Sequence, residues 1–216
     1  MIITPAILAK DEQDFRHYMQ YAHQLPSGRW HIDILDGTMH DRTCWHDEAI
    51  IGDMPDLPEL EIHLMVQNPS LHILSWYRAV PFLRRVLVNA DTHRLDKVIA
   101  QVQALKLDLT LTLNPDAIPD ICTPFIGATD EILIMGVHPG SSGQKFLGEE
   151  IFAKIQRTRA LFPVVDIALD GGVHEKNLSA LAKHGVTRAI ASSALWKAAS
   201  PIDAHLALEE AARIVL

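Results

Sequence analysis

The chain has 216 residues, of which 48% are hydrophobic and 21% charged, and its net charge is −8 at pH 7. These values predict one globular domain over residues 1–216 and argue against an intrinsically disordered chain. A negative charge without a long basic run argues against nucleic acid or an anionic membrane as a partner. We also expect no secretory signal and no membrane-spanning helix, and the two cysteines, Cys44 and Cys122, suit a reducing cytoplasm.

Eight short apolar runs alternate with longer amphipathic stretches along the chain. Most of the runs are rich in Ile, Val and Leu without strict polar alternation, which is typical of parallel strands buried on both faces. The predicted strands are Ile2–Leu8, Trp30–Leu35, Leu60–Val66, Arg85–Ala90, Leu107–Asn114, Glu131–Val137, Val164–Asp170 and Thr187–Ala191.

Helical patterns separate these strands. An apolar stripe with the helical repeat is clearest over Leu95–Leu105. The other predicted helices are Asp11–His23, a short one near Asp47–Gly52, Ile151–Leu161, Asn177–Lys183 and Asp203–Ile214.

The alternation of strands and helices predicts the fold class. Eight strand–helix units of about 25 residues favour an α/β chain folded as a single (β/α)₈ TIM barrel. An open doubly wound sheet is the alternative, and it usually carries a Gly-x-Gly-x-x-Gly turn after its first strand. The first turn here is Ala9-Lys10-Asp11, which contains no glycine.

The end of the second predicted strand carries two inward-facing polar residues. Side chains two residues apart share a face of a strand, so His31 and Asp33 point one way and Ile32 and Ile34 the other. The isoleucines suit the helix layer, and His31 and Asp33 are therefore predicted to point into the barrel. Asp36 is out of this register and is interpreted as a loop anchor or helix cap.

His63 on the third strand and Asp170 on the seventh complete a cluster at the barrel mouth, where such barrels place their chemistry. Two imidazoles and two carboxylates indicate a site for one divalent metal ion, and these donors suit Zn²⁺, Fe²⁺, Mn²⁺ or Co²⁺. Each residue alone has an ordinary structural explanation, such as a hydrogen-bonded core histidine. Burying all four without a cation would leave polar groups uncompensated.

Glycine- or serine-rich turns follow the last three strands, where barrel enzymes frequently bind phosphate. Exposed backbone N–H groups and serine hydroxyls are the expected phosphate contacts. These residues are Gly140, Ser141, Ser142 and Gly143 after the sixth strand, Gly171 and Gly172 after the seventh, and Ser192 and Ser193 after the eighth.

At these residues the sequence resembles the ribulose-phosphate 3-epimerase family, and the resemblance covers nearly the whole chain. It implies a metal-dependent isomerase of the pentose phosphate pathway that inverts carbon 3 of a ketose phosphate. The implied reaction converts D-ribulose 5-phosphate to D-xylulose 5-phosphate by two-base proton transfer through a metal-stabilised enediolate. The matching motifs are His31-Ile-Asp33-Ile-Leu-Asp36-Gly37, His63-Leu64-Met65, Leu113-Asn114-Pro115, Met135 through Phe146, and Leu169-Asp170-Gly171-Gly172-Val173.

The resemblance also implies a role for each motif residue. His31, Asp33, His63 and Asp170 correspond to the metal ligands, and Asp33 and Asp170 to the acid/base pair. His63, Met65 and Met135 correspond to residues of the substrate pocket, and the three turns to the phosphate site. Members of this family are often homo-oligomers, which is therefore expected here.

Several positions depart from the family pattern. Topologically related decarboxylases and hexulose-phosphate synthases carry Asp-x-Lys-x-x-Asp, and the lysine is missing from His31-x-Asp33-x-x-Asp36. The substrate shell of the epimerases is also altered, which leaves two alternatives open: a 3-epimerase of a six-carbon or unphosphorylated ketose, and a non-catalytic sugar-phosphate binder. The altered positions are Ala6, Leu35, the segment Thr38–Trp45, Asn89, Ser141-Ser142 and Ser192.

Overall fold

The computed structural model describes residues 1–213, and its eight strands pair in parallel and in chain order into a closed barrel. The first strand pairs with the last, so the predicted single barrel is confirmed and the open sheet is wrong. The strands are β1 Ile2–Ile7, β2 Arg29–Ile34, β3 Glu59–Leu64, β4 Leu83–Asn89, β5 Asp108–Leu113, β6 Glu131–Met135, β7 Asp166–Asp170 and β8 Arg188–Ala191.

Helices connect the strands and cover the outside of the barrel. The predicted helices are all present, although the first ends at Met19 rather than His23, because the chain tightens there into i→i−3 turns such as Ala22 N to Met19 O. Ile214 of the predicted last helix lies outside the described residues. The helices are α1 Glu12–Met19, α2 Glu48–Gly52, α3 Pro69–Ala79, α4 Leu95–Ala104, α5 Glu149–Leu161, α6 Glu175–Lys183, α7 Ser193–Trp196 and α8 Pro201–Ala212.

Three helical segments lie where no helix was predicted: the short α7, α3 and a 3₁₀ segment. In α3, Ile73 and Trp76 are buried but Leu71 is exposed, so the sequence shows no clean apolar stripe. Between β5 and β6 the chain forms a 3₁₀ segment, Pro119–Ala128, since its prolines cannot donate α-helical hydrogen bonds.

The barrel wall separates two apolar layers, because successive strand residues point to opposite sides. Ile32 and Ile34 belong to the large layer between strands and helices. The inner layer is small, and its members are Ala6, Leu87, Leu133, Met135, Ala168 and Ile190. The inner face of the barrel therefore leaves room for polar side chains above and below this layer. Within residues 1–213, no helix has the length and apolar character needed to cross a membrane.

Candidate active site

Four side chains meet at the C-terminal end of the barrel: His31, Asp33, His63 and Asp170. The Oδ1 atom of Asp33 lies 3.2 Å from His31 Nε2 and 3.1 Å from His63 Nδ1. His63 Nδ1 also lies 3.8 Å from Asp170 Oδ2. All four residues are buried, and one possible ligand atom of each lies within 4.8 Å of the others.

Strand register brings these residues together. Asp33 on β2 pairs directly with His63 on β3, and His31 pairs with the small Ala6 on β1. Asp170 is the last residue of β7, and β1 and β8 separate its strand from β2. The two carboxylates therefore approach the barrel axis from different sides of the ring.

The two carboxylates have unequal electrostatic surroundings. Burial alone would raise the pKa of Asp33, but hydrogen bonds and positive charge from His31 and His63 hold it well below its usual range. Burial, and then the negative charge of Asp33, raises the pKa of Asp170 to about 6. Asp33 is therefore ionised at neutral pH, while Asp170 holds a proton more readily.

The donor set fits a divalent cation. Two imidazole nitrogens and two carboxylate oxygens converge, and such mixed donors are typical of zinc, iron, manganese and cobalt sites. Within the described part of the chain, Asp33 and Asp170 have only His31 and His63 as basic partners at ion-pair distance. Because no arginine or lysine neutralises these two buried carboxylates, a cation bound between them would supply the missing positive charge.

A cavity opens directly above this cluster. Asp33 and Asp170 form part of its wall, together with Met65 and Met135, whereas His31 and His63 are almost fully buried. The three turns lie around the same cavity, which is lined by Gly140, Ser141, Ser142, Gly143, Gly171, Gly172, Ser192 and Ser193. The structure thus places the predicted site residues around one cavity, except His31 and His63, which lie beneath it. The predicted contact of His63 with substrate and the individual roles of the other residues stay predictions.

The turn after β7 requires its two glycines. Gly171 has φ +94°, and a Cβ there would lie 2.5 Å from Val137 Cγ2. Gly172 has φ +69°, and a Cβ there would lie 2.7 Å from the backbone of Phe146. Side chains at these positions would be both strained and obstructed, so the turn keeps its backbone close to the cavity.

Two exposed cations lie beside the turn after β6. The Nζ atom of Lys197 lies 2.6 Å from the point where a Cβ on Gly143 would stand. Arg42 comes from the segment after β2, and its Cδ lies 3.6 Å from the corresponding point on Gly140. The Oγ atoms of Ser142 and Ser192 are 3.1 Å apart, which links two of the turns.

Sequence reasoning missed Lys197, Arg42 and Glu61. Glu61 accepts a hydrogen bond of 2.7 Å from Nδ1 of His31. Glu61 lies two residues before His63 and therefore shares its strand face, so strand alternation could have identified it. No local pattern marks the two cations, because their positions depend on loops that meet only in the closed barrel.

Asp36 has the predicted anchoring contacts, since it accepts hydrogen bonds from the backbone and hydroxyl of Thr38.

A parallel eight-stranded barrel whose mouth carries a buried His/Asp cluster able to hold a metal ion has the architecture of a (β/α)₈-barrel enzyme. The family model described as ribulose-phosphate 3 epimerase matches residues 2–196, and the chain belongs to this family. The predicted enzyme class, an isomerase of the epimerase type, is thereby confirmed.

Relatives with this name cover almost the whole chain. A ribulose-phosphate 3-epimerase, cytoplasmic isoform, from Oryza sativa subsp. japonica is 27% identical over 214 residues, which cover 96% of this chain and 92% of the relative. A ribulose-phosphate 3-epimerase from Schizosaccharomyces pombe is 28% identical and covers 92% of this chain and 88% of its own length. The chain is therefore a divergent member of the family.

Solved structures with low identity share the fold alone. The crystal structure of a 3-hexulose-6-phosphate synthase superimposes with a TM-score of 0.73 at 17% identity, covering 99% of this chain and 100% of that one. Position 33, where the synthase pattern described above places its lysine, is Asp33 in this chain. The likeness therefore carries no conclusion about the reaction.

Proposed function

We propose that this protein is a metal-dependent 3-epimerase that interconverts D-ribulose 5-phosphate and D-xylulose 5-phosphate. The observation that carries the proposal is the pair Asp33 and Asp170, two buried carboxylates that reach one cavity from separate strands. Inversion of a carbon centre needs a proton removed from one face and another returned to the opposite face. Two carboxylates on different sides of a bound sugar do this without the sugar turning over.

In the proposed reaction, one ionised carboxylate accepts the proton from carbon 3, and the electron pair of the broken C–H bond forms an enediolate with the neighbouring carbonyl. The other carboxyl group then donates a proton to the opposite face of carbon 3, which restores the ketone. Asp170, whose pKa is raised, takes up a proton more readily than Asp33, whose pKa is lowered. In the reverse reaction the two residues exchange roles.

His31, Asp33, His63 and Asp170 would hold the metal ion. A bound divalent cation would supply positive charge next to the substrate oxygens on which negative charge develops. Met65 and Met135 pack against the sugar, and burial in this pocket excludes water from the reacting carbon.

We assign the phosphate group to the end of the cavity formed by the three turns. Gly140–Gly143, Gly171 and Gly172 offer backbone N–H groups, and the hydroxyls of Ser192 and Ser193 add hydrogen-bond donors. Lys197 contributes positive charge at the same end of the cavity. A cytoplasmic location and a homo-oligomeric state remain predictions.

One observation favours a second substrate. The segment Thr38–Trp45, which departs from the family pattern, brings Met39 Sδ to 3.0 Å from Nδ2 of Asn89 and Arg42 to Gly140. Side chains from this segment therefore border the mouth and change the space offered to the sugar. A six-carbon or unphosphorylated ketose is the resulting alternative.

A substrate panel distinguishes these possibilities. The protein would be loaded in turn with Zn²⁺, Fe²⁺, Mn²⁺ and Co²⁺ and tested on five- and six-carbon ketoses with and without phosphate. We expect the highest kcat/KM for ribulose 5-phosphate with at least one metal. A preference for a six-carbon or unphosphorylated ketose would establish the alternative, and binding without turnover of any ketose would establish a non-catalytic binder.

A further inference from the structure

Below the proposed metal site, Glu61 contacts the ring of His31 on the side away from Asp33. His31 Nδ1 lies 2.7 Å from Glu61 Oε1, and both side chains are fully buried. The other ring nitrogen, Nε2, lies 3.2 Å from Asp33 Oδ1, within the cluster at the mouth. The imidazole is thus held from both ends.

Glu61 is fixed in turn by Arg188. The Nη1 atom of Arg188 donates to Glu61 Oε1 over 2.6 Å, and the guanidinium also forms two hydrogen bonds of 2.6 and 2.8 Å with Glu131. Glu131 accepts further hydrogen bonds from Arg85 and Thr110, each of 2.9 Å. We call Glu61, Arg188, Glu131 and Arg85 the lower ion network. It contains two carboxylates and two guanidinium groups, so its charges balance.

The chemistry of Glu61 determines which tautomer His31 adopts. A carboxylate kept ionised by the adjacent guanidinium can only accept hydrogen bonds, so Nδ1 of His31 must carry the proton. In the neutral ring, Nε2 then presents its lone pair toward Asp33, His63 and Asp170. This is the nitrogen that a cation in the cluster would bind.

We propose that Glu61, held by Arg188, is a positioning residue that fixes the tautomer and orientation of His31 for metal binding. The inference rests on the proposed metal site and adds a residue that touches neither metal nor substrate. Carboxylates that hold a metal-binding histidine in this way typically affect metal affinity or activity 10- to 100-fold. Through the contact of Glu61 with His31, the lower ion network at the base of the barrel supports the proposed metal site at its mouth.

Metal affinity is the first test, with Glu61→Gln compared with Glu131→Gln. Both substitutions remove one negative charge from the lower ion network, but only Glu61 contacts His31. Affinity for Zn²⁺, measured by competition with a chromophoric chelator, should fall by roughly 10- to 100-fold in Glu61→Gln. In Glu131→Gln the affinity should stay within about threefold of wild type, because the bond between His31 and Glu61 is kept.

The second test determines the tautomer of His31 in the wild-type protein with zinc bound. Nitrogen NMR of the labelled protein should show His31 with Nδ1 protonated and Nε2 bound to the metal. The signal should be lost or split between two ring states in Glu61→Gln. A proton on Nε2 in the wild type would overturn the proposal even if the variant does not fold.

The outcomes separate this inference from the proposed function. If wild type binds no divalent metal, the metal site itself is wrong and the inference fails with it. If wild type binds metal and Glu61→Gln binds it equally well with the same His31 tautomer, only the inference is wrong. An equal loss in Glu131→Gln would show that network charge, and not the contact with His31, determines affinity.

Discussion

Buried charges are paired differently at the two ends of the barrel interior. At the base, Glu61 and Glu131 are paired with Arg188 and Arg85. At the mouth, Asp33 and Asp170 have only the two histidines as basic partners among the described residues. The base is a balanced ion network in which Arg85, Glu131 and Arg188 line a cavity of their own. The mouth carries excess negative charge beside its own cavity.

This difference separates structural charge from functional charge. Buried charges with a fixed opposite partner are inert, because desolvation is offset by a permanent ion pair. Buried carboxylates that have only imidazoles as basic partners can still bind a proton or a metal ion. Glu61 belongs to the base but contacts His31 of the mouth, and it is the only member of the lower ion network with that contact.

The largest effect is expected from removing a carboxylate at the mouth. Asp33→Asn and Asp170→Asn should each lower kcat by roughly 10²- to 10⁴-fold, since the amide can neither accept nor donate the proton of carbon 3. Initial rates of xylulose 5-phosphate formation measure this effect. Asp166→Asn is the matched control, because Asp166 is exposed at the opposite end of β7. A rate near wild type in either active-site variant would contradict the assignment of that residue.

At the base we expect a loss of stability without a loss of catalysis. Glu131→Gln leaves Arg188 and Arg85 without their shared carboxylate, which should lower the free energy of unfolding by roughly 3 kcal/mol. Urea denaturation measures this change, while kcat/KM should stay within about twofold of wild type, because the residue touches no part of the mouth. Glu59→Gln is the control, since its ion pairs with Arg29 and Arg84 are exposed and contribute less than about 1 kcal/mol. Equal stability of both variants would show that the network is not structural.

The mouth should release protons when it binds metal. Burial alone would lower the pKa of His31, but its hydrogen bonds to Asp33 and Glu61 raise it to about 10 in the metal-free protein. His31 is then protonated at neutral pH, and a cation must displace that proton from Nε2. The apparent affinity for Mn²⁺ should therefore rise by about tenfold per pH unit between pH 7 and 9, and more steeply below pH 6, where Asp170 also holds a proton. Calorimetric titration at several pH values measures the affinity for Mn²⁺. An affinity that does not change with pH would contradict the expected proton release.

The smallest effect is expected at the phosphate end of the cavity. Lys197→Met should raise KM for ribulose 5-phosphate by about two- to fivefold with little change in kcat, because an exposed charge pair contributes about 1 kcal/mol or less. Lys183→Met, at the exposed end of α6, is the matched control. Steady-state kinetics at low and high salt would measure both, and an unchanged KM would remove Lys197 from the phosphate site.

The mouth was far more predictable from sequence than the base. His31, Asp33 and His63 follow from strand alternation, and Asp170 from its place at the end of the seventh strand. The lower ion network depends on residues distant in sequence, such as Glu61 and Arg188, which meet only when the barrel closes. Local patterns contain no information on that pairing.

Helix α3 shows a second limit of sequence patterns. Its outer face carries Leu71 and Tyr77, which are exposed, so polarity does not separate its two sides. The packing of Ile73 and Trp76 against the barrel decides its structure instead. Tertiary contacts therefore form this helix where periodicity gives no signal.

The central claim is that the mouth performs proton transfer at carbon 3, and NMR of the reaction in D₂O tests it most directly. Metal-loaded wild-type protein would be incubated with ribulose 5-phosphate, with Asp33→Asn and Asp170→Asn in parallel. We expect xylulose 5-phosphate to form with deuterium at carbon 3 in wild type, and neither variant to produce it at a comparable rate. Retention of the original hydrogen at carbon 3, or no conversion by wild type with any of the four metals, would contradict the claim.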